Sequence, residues 1–385
     1  MNATLLRASR DRFRRLRDEL RRHQAAAYLA ASAVEVAYLS NFGGEDAWLL
    51  VPARGRPTLV TDFRYAEDAA QDCPHVRAVL RADSLAAEVG RLAGRLRGPV
   101  VFNPHDLTVA ERRRLSRAFR AGGPTGKGTR RAGRRPMALK AVPGLVSRMR
   151  LVKDACEVAA IRRALGVAET AYAEFLGRIR LGMTELRLAA ELEYCLRRRG
   201  ADGTAFPTIC AVGPNASRPH ARPGNRRLRA DTLLLVDFGA LVRGYRCDLT
   251  RMVLPSRIPA RVRLAYEAVL AAQTAAIQAA GPGVKAVDVD AAARQVLTDR
   301  GYGKVFGHGT GHGIGREVHE GPSLSPKAGK QTLQPGMVVT VEPGVYLPGR
   351  FGIRIEDDVL ITRNGRRVLS RLPKRLDAVR LTVRR

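Results

Sequence analysis

Two segments of this 385-residue chain have the pattern of antiparallel hairpins that carry an acidic residue on each strand. In the first, TLLLVDFGALVRGYRCDLTRMVL, a turn centred between residues 242 and 243 would place Asp237 opposite Asp248. In the second, TVEPGVYLPGRFGIRIED, a turn centred on the glycine of LPGR would place Glu342 opposite Glu356. Each hairpin can therefore aim two carboxylates at one point.

The strand neighbours of these acids are apolar, so Asp237 and Glu342 are expected to be at least half buried. Buried carboxylates that face each other repel, and they stay ionised only when a cation joins them. For either hairpin alone, surface salt bridges with the abundant arginines are the simpler interpretation. Four carboxylates on two hairpins, taken with the histidines described next, instead favour one or two divalent metal ions.

The segment FGHGTGHGIGREVHEGP holds His308, His312 and His319, three of the seven histidines of the chain. Glycines alternate through it, which argues against a helix and against the helical HxxxH zinc motif. A glycine-rich backbone allows close approach to a metal or a substrate. Mixed oxygen and nitrogen ligands suit manganese, cobalt, iron or zinc.

The remaining pattern predicts two domains, 1–140 and 141–385. The first alternates short apolar runs with helical periods and reads as an α/β domain, followed by a Gly-, Pro- and Arg-rich linker at 121–136. In the second, a helix pair followed by strands occurs twice, which suggests two similar halves. The predicted helices are 4–23, 83–96, 107–120, 154–179, 184–199, 259–280 and 286–300.

The net charge is +31, and residues 111–150 alone contribute +12. Such a segment attracts anions, but aromatic stacking positions and zinc-finger or RNP patterns are missing, so nucleic-acid binding is not expected. No apolar run is long enough for a membrane span, and the N-terminus has no apolar leader core. Five cysteines without CxxC spacing point to scattered reduced thiols and a cytoplasmic location.

Four strings in the chain resemble the pita-bread metallopeptidases, in the branch of Xaa-Pro aminopeptidase (aminopeptidase P) and prolidase. They are VDFGALVRGYRCDLTR, HGTGHGIGREVHEGP, GMVVTVEPGVYLPG and GIRIEDDVLIT. Upstream, AYLSNFGG and LVTDFRYAEDA resemble the creatinase-type N-terminal domain of that family. The resemblance implies a creatinase-like α/β domain with a mixed sheet, and an α+β pita-bread catalytic domain with a pseudo-twofold repeat.

The resemblance also implies a ligand set for two divalent ions, with manganese as the first expectation and cobalt, zinc or iron as alternatives. The five ligands would be Asp237, Asp248, His312, Glu342 and Glu356, with Asp248 and Glu356 bridging the two ions. The implied reaction is hydrolysis of the bond between an N-terminal residue and a following proline, and the implied assembly is a homodimer.

Other roles follow from the same resemblance. Glu342 would also shuttle a proton, while His220 and His319 would hydrogen-bond the substrate and the developing oxyanion. His308 would line the proline pocket. Arg354 is expected near the substrate and the Glu356 side of the site, against the alternative of an ordinary surface arginine.

Two positions and one segment depart from the family pattern, and the segment is the basic stretch 111–140, which lies outside the motifs. Arg316 stands where an apolar residue is common, which could alter the pocket mouth, and Cys247 precedes Asp248, where it could make the site sensitive to oxidation. The alternatives to a proline-specific peptidase are a metal-independent, creatinase-like amide hydrolase and a basic nucleic-acid-binding protein derived from a peptidase. Retention of all five ligand positions favours the peptidase.

Overall fold

The chain divides into two units, Met1–Met149 and Arg150–Arg385, in a computed structural model that describes residues 3–94, 96–121 and 138–381. The sequence predicted a division between residues 140 and 141. The predicted linker at 121–136 lies outside the described residues, apart from Ala121 at the end of a helix. Most of the basic 111–140 segment beyond that helix lies outside them as well.

The first unit is built on a six-stranded mixed sheet in the order β4-β3-β2-β1-β5-β6. Its helices are α1 (Ala3–Arg22), α2 (Ala33–Ser40), α3 (Ala66–Asp72), α4 (Leu85–Ala93), α5 (Val109–Ala121) and α6 (Leu145–Leu151), whose last two residues belong to the second unit. Its strands are β1 (Ala27–Ala30), β2 (Trp48–Pro52), β3 (Thr58–Thr61), β4 (Arg77–Leu80), β5 (Val100–Phe102) and β6 (Leu139–Ala141). Strands β1, β2 and β3 pair antiparallel, and the other three pairs are parallel. The predicted α/β domain with a mixed sheet is confirmed.

The spacing of apolar residues in the sequence explains which face of helix α1 is buried. Phe13, Leu16 and Leu20 recur at helical spacing and are all buried, while the other face is charged. Serine caps begin two further helices: Ser32 accepts a bond from Glu35 N, and Ser84 accepts one from Ala87 N.

The second unit contains two helix pairs. They are α7 (Ala155–Arg178) with α8 (Glu185–Arg198), and α9 (Ala260–Ala279) with α10 (Ala286–Asp299). Asp154 and Glu157 form a reciprocal capping box at the start of α7, and the Thr184 side chain caps α8. The predicted helices match these bounds within two residues.

Strands follow each helix pair, as predicted. After α8 come β7 (Gly203–Thr204), β8 (Ile209–Val212), β9 (Leu234–Phe238), β10 (Ala240–Val242), β11 (Tyr245–Arg246) and β12 (Leu249–Val253). After α10 come β13 (Gly311–Gly313), β14 (Glu320–Leu324), β15 (Val338–Val341), β16 (Gly344–Leu347), β17 (Phe351–Arg354), β18 (Asp357–Thr362) and β19 (Gly365–Val368). The base of the first acidic hairpin lies in sheet β12-β9-β8 and its tip in sheet β11-β10-β7. The base of the second lies in sheet β14-β13-β15-β18-β19 and its tip in sheet β16-β17.

The register of the first acidic hairpin differs from the prediction. The turn uses Arg243 and Gly244, both at positive φ (51° and 77°), so Asp237 pairs with Thr250 and not with Asp248. A two-residue turn of this kind needs left-handed backbone at both positions, which glycine supplies readily. The predicted register was therefore wrong by two residues. Because two is the side-chain repeat of a strand, the shift keeps the alternation of faces.

The register of the second hairpin is confirmed. Gly344 pairs with Arg354 and Leu347 pairs with Phe351 around Gly349, whose φ is 69°. Continuing the same register through β15 and β18 pairs Val341 with Asp357. The described residues contain no helix with the length and hydropathy of a bilayer span.

Candidate metal and substrate site

Five ligand-type side chains from separate segments of the second unit converge. Asp237 lies near the end of β9 and Asp248 directly before β12. His312 is the middle residue of β13, Glu342 follows β15, and Glu356 lies between β17 and β18. Asp248 and Glu356 are buried, and the side chains of the other three are 13–18% exposed. All five predicted ligand positions therefore meet in one place.

His312 is oriented with one nitrogen toward the carboxylates. Its Nδ1 lies 3.0 Å from Gly313 O, which can only accept, so Nδ1 carries the proton. Its Nε2 is directed at Glu342 Oε1 (3.3 Å) and Asp248 Oδ2 (3.9 Å). Burial lowers the pKa of this ring, but hydrogen bonding and attraction to Glu342 outweigh burial and raise the pKa, so a metal at Nε2 would displace a proton. A backbone carbonyl that fixes the tautomer in this way is typical of metal-ligating histidines.

Three oxygens of the ligand-type carboxylates are buried without a hydrogen-bond partner among the described residues: Asp237 Oδ1, Asp248 Oδ1 and Glu356 Oε1. Ligand atoms of Asp248, His312 and Glu356 all lie within 4.8 Å of one another. Buried oxygens without donors are costly unless a cation neutralises them. This oxygen-rich set with one imidazole fits hard or borderline divalent ions.

The pKa shifts of the ligand-type carboxylates also favour a bound cation. Burial raises the pKa of Asp248 and of Glu356 well above the ordinary range, and repulsion from neighbouring carboxylates raises both further. Burial also raises the pKa of Asp237, although Arg354 opposes that rise. For Glu342, attraction to His312 outweighs burial and lowers the pKa. A divalent cation removes the repulsion between these groups.

Arg354 ties the ligands to the walls of the site. It is 3% exposed, and it donates from Nη2 to Asp237 Oδ2, from Nε to Thr250 Oγ1 (3.0 Å) and from Nη1 to the Tyr346 hydroxyl (2.8 Å). Thr250 in turn donates to Glu356 Oε2 (2.7 Å). The surface-arginine alternative is wrong, because this guanidinium is buried among ligand residues.

His308 lies at the end of the same chain of hydrogen bonds. Its Nδ1 lies 2.7 Å from Gly309 O, which fixes the proton there, and its Nε2 accepts from the Tyr346 hydroxyl at 2.9 Å. Both ring nitrogens are therefore satisfied by the protein. What this ring offers to a ligand is its carbon edge and face.

Sequence reasoning missed three residues of the site: Thr250, Tyr346 and Asp358. Thr250 and Tyr346 are neutral, and only their contacts with Arg354 mark them. Asp358 is fully buried, its Oδ2 accepts from Asp248 N (3.3 Å), and burial raises its pKa to about 8. The third acid of the run IEDD was the available signal for Asp358.

A cavity of about 550 Å³ opens onto the ligands. His220 and His319 line it, together with His308, Arg354 and the five ligand-type residues. The His319 ring lies edge-on to His312, with 4.3 Å between the ring centroids. Phe206 and Val318 supply apolar wall. Every predicted site residue therefore lines one cavity.

The two departing positions noted in the sequence lie away from the cavity surface. Arg316 is not among its lining residues, and its guanidinium lies over the Tyr245 ring, 4.7 Å from the centroid. Cys247 is fully buried, and burial raises the pKa of its thiol well above the ordinary value. Because the thiolate is the reactive form, this environment disfavours oxidation.

Comparisons with known proteins agree with this arrangement. The profile of Metallopeptidase family M24 matches residues 159–363, and that of the Creatinase/Prolidase N-terminal domain matches residues 12–152. An uncharacterized peptidase of Bacillus subtilis, YqhT, is 33% identical over 351 residues, which are 90% of this chain and 94% of that protein.

Two solved structures are similar over nearly the whole chain. A Xaa-Pro dipeptidase from Bacillus anthracis has a TM-score of 0.87 at 30% identity, covering 96% of this chain and 99% of that one. An X-Pro aminopeptidase from Thermotoga maritima has a TM-score of 0.82 at 32% identity, covering 91% and 97%. The chain therefore belongs to metallopeptidase family M24, and it carries a creatinase/prolidase N-terminal domain.

Proposed function

We propose that this protein is a metal-dependent peptidase that hydrolyses the bond between an N-terminal residue and a following proline. The observation that carries the proposal is a group of three buried oxygens of the ligand-type carboxylates, which have no hydrogen-bond partner among the described residues and lie near His312 Nε2 at the base of a peptide-sized cavity. The activities in the names of the similar structures, Xaa-Pro dipeptidase and X-Pro aminopeptidase, support the proline specificity.

The five ligand-type residues would hold two divalent ions. Asp248 and Glu356 are the most buried of the four ligand-type carboxylates and would be shared, with Asp237 on one side and His312 with Glu342 on the other. When bound, such ions polarise the scissile carbonyl and lower the pKa of the attacking water. Manganese is our first expectation, and cobalt, zinc and iron suit the same donors.

The remaining chemistry belongs to side chains of the cavity. Glu342 is partly exposed and would take a proton from the attacking water and return it to the leaving nitrogen. His220 and His319 are exposed on the cavity wall and would donate hydrogen bonds to the substrate and the developing oxyanion. His308 offers only its ring carbons, which suits contact with a proline ring.

The test is hydrolysis of matched Xaa-Pro, Xaa-Pro-Xaa and Xaa-Ala-Xaa peptides after loading with Mn²⁺, Co²⁺ or Zn²⁺. We expect cleavage of the proline peptides alone, abolished by chelator. The ratio of dipeptide to tripeptide turnover then distinguishes prolidase from aminopeptidase P. Turnover that persists after complete chelation would instead support the metal-independent amide hydrolase.

Two variants separate ligand from catalytic roles. Asp248→Ala should abolish metal loading and activity while the helical circular dichroism persists. His319→Ala should lower kcat by about 10²–10³ with metal content unchanged, which is the usual effect of losing one oxyanion donor. Loss of metal in His319→Ala would show that its assigned role is wrong.

We also propose that the protein is a cytoplasmic homodimer. The family resemblance supports the dimer, and cysteines that form no disulfide among the described residues suit a reducing compartment. Sedimentation velocity of the full chain tests the assembly: a single species of monomer mass at micromolar concentration would contradict it.

A further inference from the structure

A second cavity, of about 710 Å³, lies at the turn between α7 and α8. It shares no lining residue with the cavity over the ligand cluster. Four arginines line it: Arg178 from the end of α7, Arg180 from the turn, Arg187 from α8 and Arg227 from the segment before β9. We call this cavity, which these four residues line, the arginine cavity.

The arginine cavity holds excess positive charge. Among the described residues that line it, Glu191 is the only one with a carboxylate, and Arg178 Nη1 donates to that carboxylate at 2.6 Å. Within the part of the chain that the structure describes, Arg180, Arg187 and Arg227 have no carboxylate within 4 Å. Three guanidinium charges that face one concavity repel one another, and an anion placed between them removes that repulsion.

The protein holds most of these guanidinium groups in place. Arg180 Nη1 donates to the carbonyls of Gly177 and Ile179, both at 2.9 Å, and Arg227 Nη1 donates to Gly182 O at 2.7 Å. Arg178 lies over the Tyr194 ring, 5.3 Å from its centroid. Each guanidinium has five N–H donors, so these bonds leave others free. Groups already fixed lose less side-chain entropy when a ligand binds.

The chemistry of the walls indicates the class of ligand. A planar guanidinium group can bind two oxygens of one phosphate at the same time. The three positive charges of Arg180, Arg187 and Arg227 match the two to four negative charges of a di- or triphosphate. Leu181, which is 45% exposed, and Met183 supply an apolar wall for an organic part. A volume of about 710 Å³ suits a small molecule. We infer that the arginine cavity binds a small phosphate-bearing ligand with a di- or triphosphate group.

The test is isothermal titration of the full-length, metal-free protein with inorganic tripolyphosphate in about 150 mM salt. Metal-free protein is used because polyphosphates chelate divalent ions, and the salt screens the long-range attraction of a +31 chain. We expect one site per chain. The double variant Arg180→Ala/Arg227→Ala should weaken binding by about tenfold or more.

The matched control is Arg261→Ala/Arg263→Ala on α9, which removes the same charge from exposed arginines outside the cavity lining. It should retain affinity within about twofold, since distant exposed charges are screened. Equal losses in both variants, several sites per chain, or no wild-type binding would each overturn the inference.

Two further ligands test the assignment of the class. Binding of citrate as tight as that of tripolyphosphate would overturn the phosphate assignment, because a polycarboxylate would then fit equally well. ATP that binds at least as tightly as tripolyphosphate, with the same loss in Arg180→Ala/Arg227→Ala, would support an organic triphosphate as the ligand. An ATP affinity that is unchanged in that variant would place nucleotide binding elsewhere and contradict an organic triphosphate as the ligand of the arginine cavity.

Discussion

The substitution Glu320→Gln removes one charge from a buried cluster next to His319. Glu320 has a side chain only 6% exposed, and it accepts from Lys153 Nζ (3.2 Å) and from Arg150 Nη2. Lys153 is 1% exposed at its side chain. Burial alone would raise the pKa of Glu320, but Lys153 and Arg150 outweigh it and hold the pKa below the usual range.

The size of the stability loss in Glu320→Gln depends on which buried charge is left without a partner. In this variant Arg150 keeps its ion pair with Glu317 at 2.6 Å. Lys153 loses Glu320, which is its only ion-pair partner among the described residues. Breaking a buried pair by removing one partner costs about 3–5 kcal/mol, because an uncompensated charge stays buried. We therefore expect Glu320→Gln to lower the free energy of unfolding by about 3–5 kcal/mol at pH 7.

The chain offers a matched control in Glu317→Gln. Glu317 binds the same Arg150 nitrogen, but its side chain is 51% exposed, so its loss should cost less than about 1 kcal/mol. Urea denaturation followed by far-ultraviolet circular dichroism compares the two variants with the wild type. Equal losses in the two variants, or a loss below about 1 kcal/mol in Glu320→Gln, would refute the argument from burial.

Three further predictions test other parts of the structure. Gly311→Ala should cost about 3 kcal/mol in thermal denaturation, because the new Cβ would lie 2.0 Å from Thr340 O, whereas Gly307→Ala, with nothing within 4 Å, should cost far less; equal costs would contradict the close packing. Burial, with repulsion from nearby arginines, lowers the pKa of His75 to about 4, so protons enter only the unfolded chain between about pH 6.5 and 4, and the free energy of unfolding falls as pH drops through that range. In denaturant titrations at several pH values, His75→Asn should make the free energy of unfolding fall less steeply with decreasing pH. An unchanged slope would contradict the assignment of this pH dependence to His75. Asp248→Asn should raise the melting temperature of metal-free protein by relieving carboxylate repulsion and should abolish stabilisation by Mn²⁺; a variant still stabilised by Mn²⁺ would exclude Asp248 as a ligand.

Much of the fold could be predicted because its signals are local. The helical spacing of Phe13, Leu16 and Leu20 depends on one face of one helix, and the structure buries all three. The alternating glycines around His312 excluded a helix, and the residue lies on β13. The second acidic hairpin was placed correctly because a glycine at the centre of a turn leaves one register.

The first acidic hairpin could not be placed as well, because the segment VRG permits two adjacent turns. A turn on Arg243 and Gly244 puts an arginine at positive φ, which is unfavourable by itself, and in the structure Arg243 N donates to Asp202 Oδ2. The glycine at 244 was the local signal for this turn. Pairing of Asp237 with Thr250 then made Thr250 a link between Arg354 and Glu356, a role that no composition or spacing predicts.

The chemical groups at the site could be predicted from short segments, since these place carboxylates and an imidazole on glycine-rich or apolar strands. The meeting of those segments depends on the folded chain, and so do the three ligand-type carboxylate oxygens without a partner among the described residues and the two satisfied nitrogens of His308. The same is true of the arginine cavity, whose lining arginines come from two helices, a turn and a distant loop. Burial and unpaired charge depend on every neighbour in space, and neighbours in space are set by packing between segments that the chain separates widely.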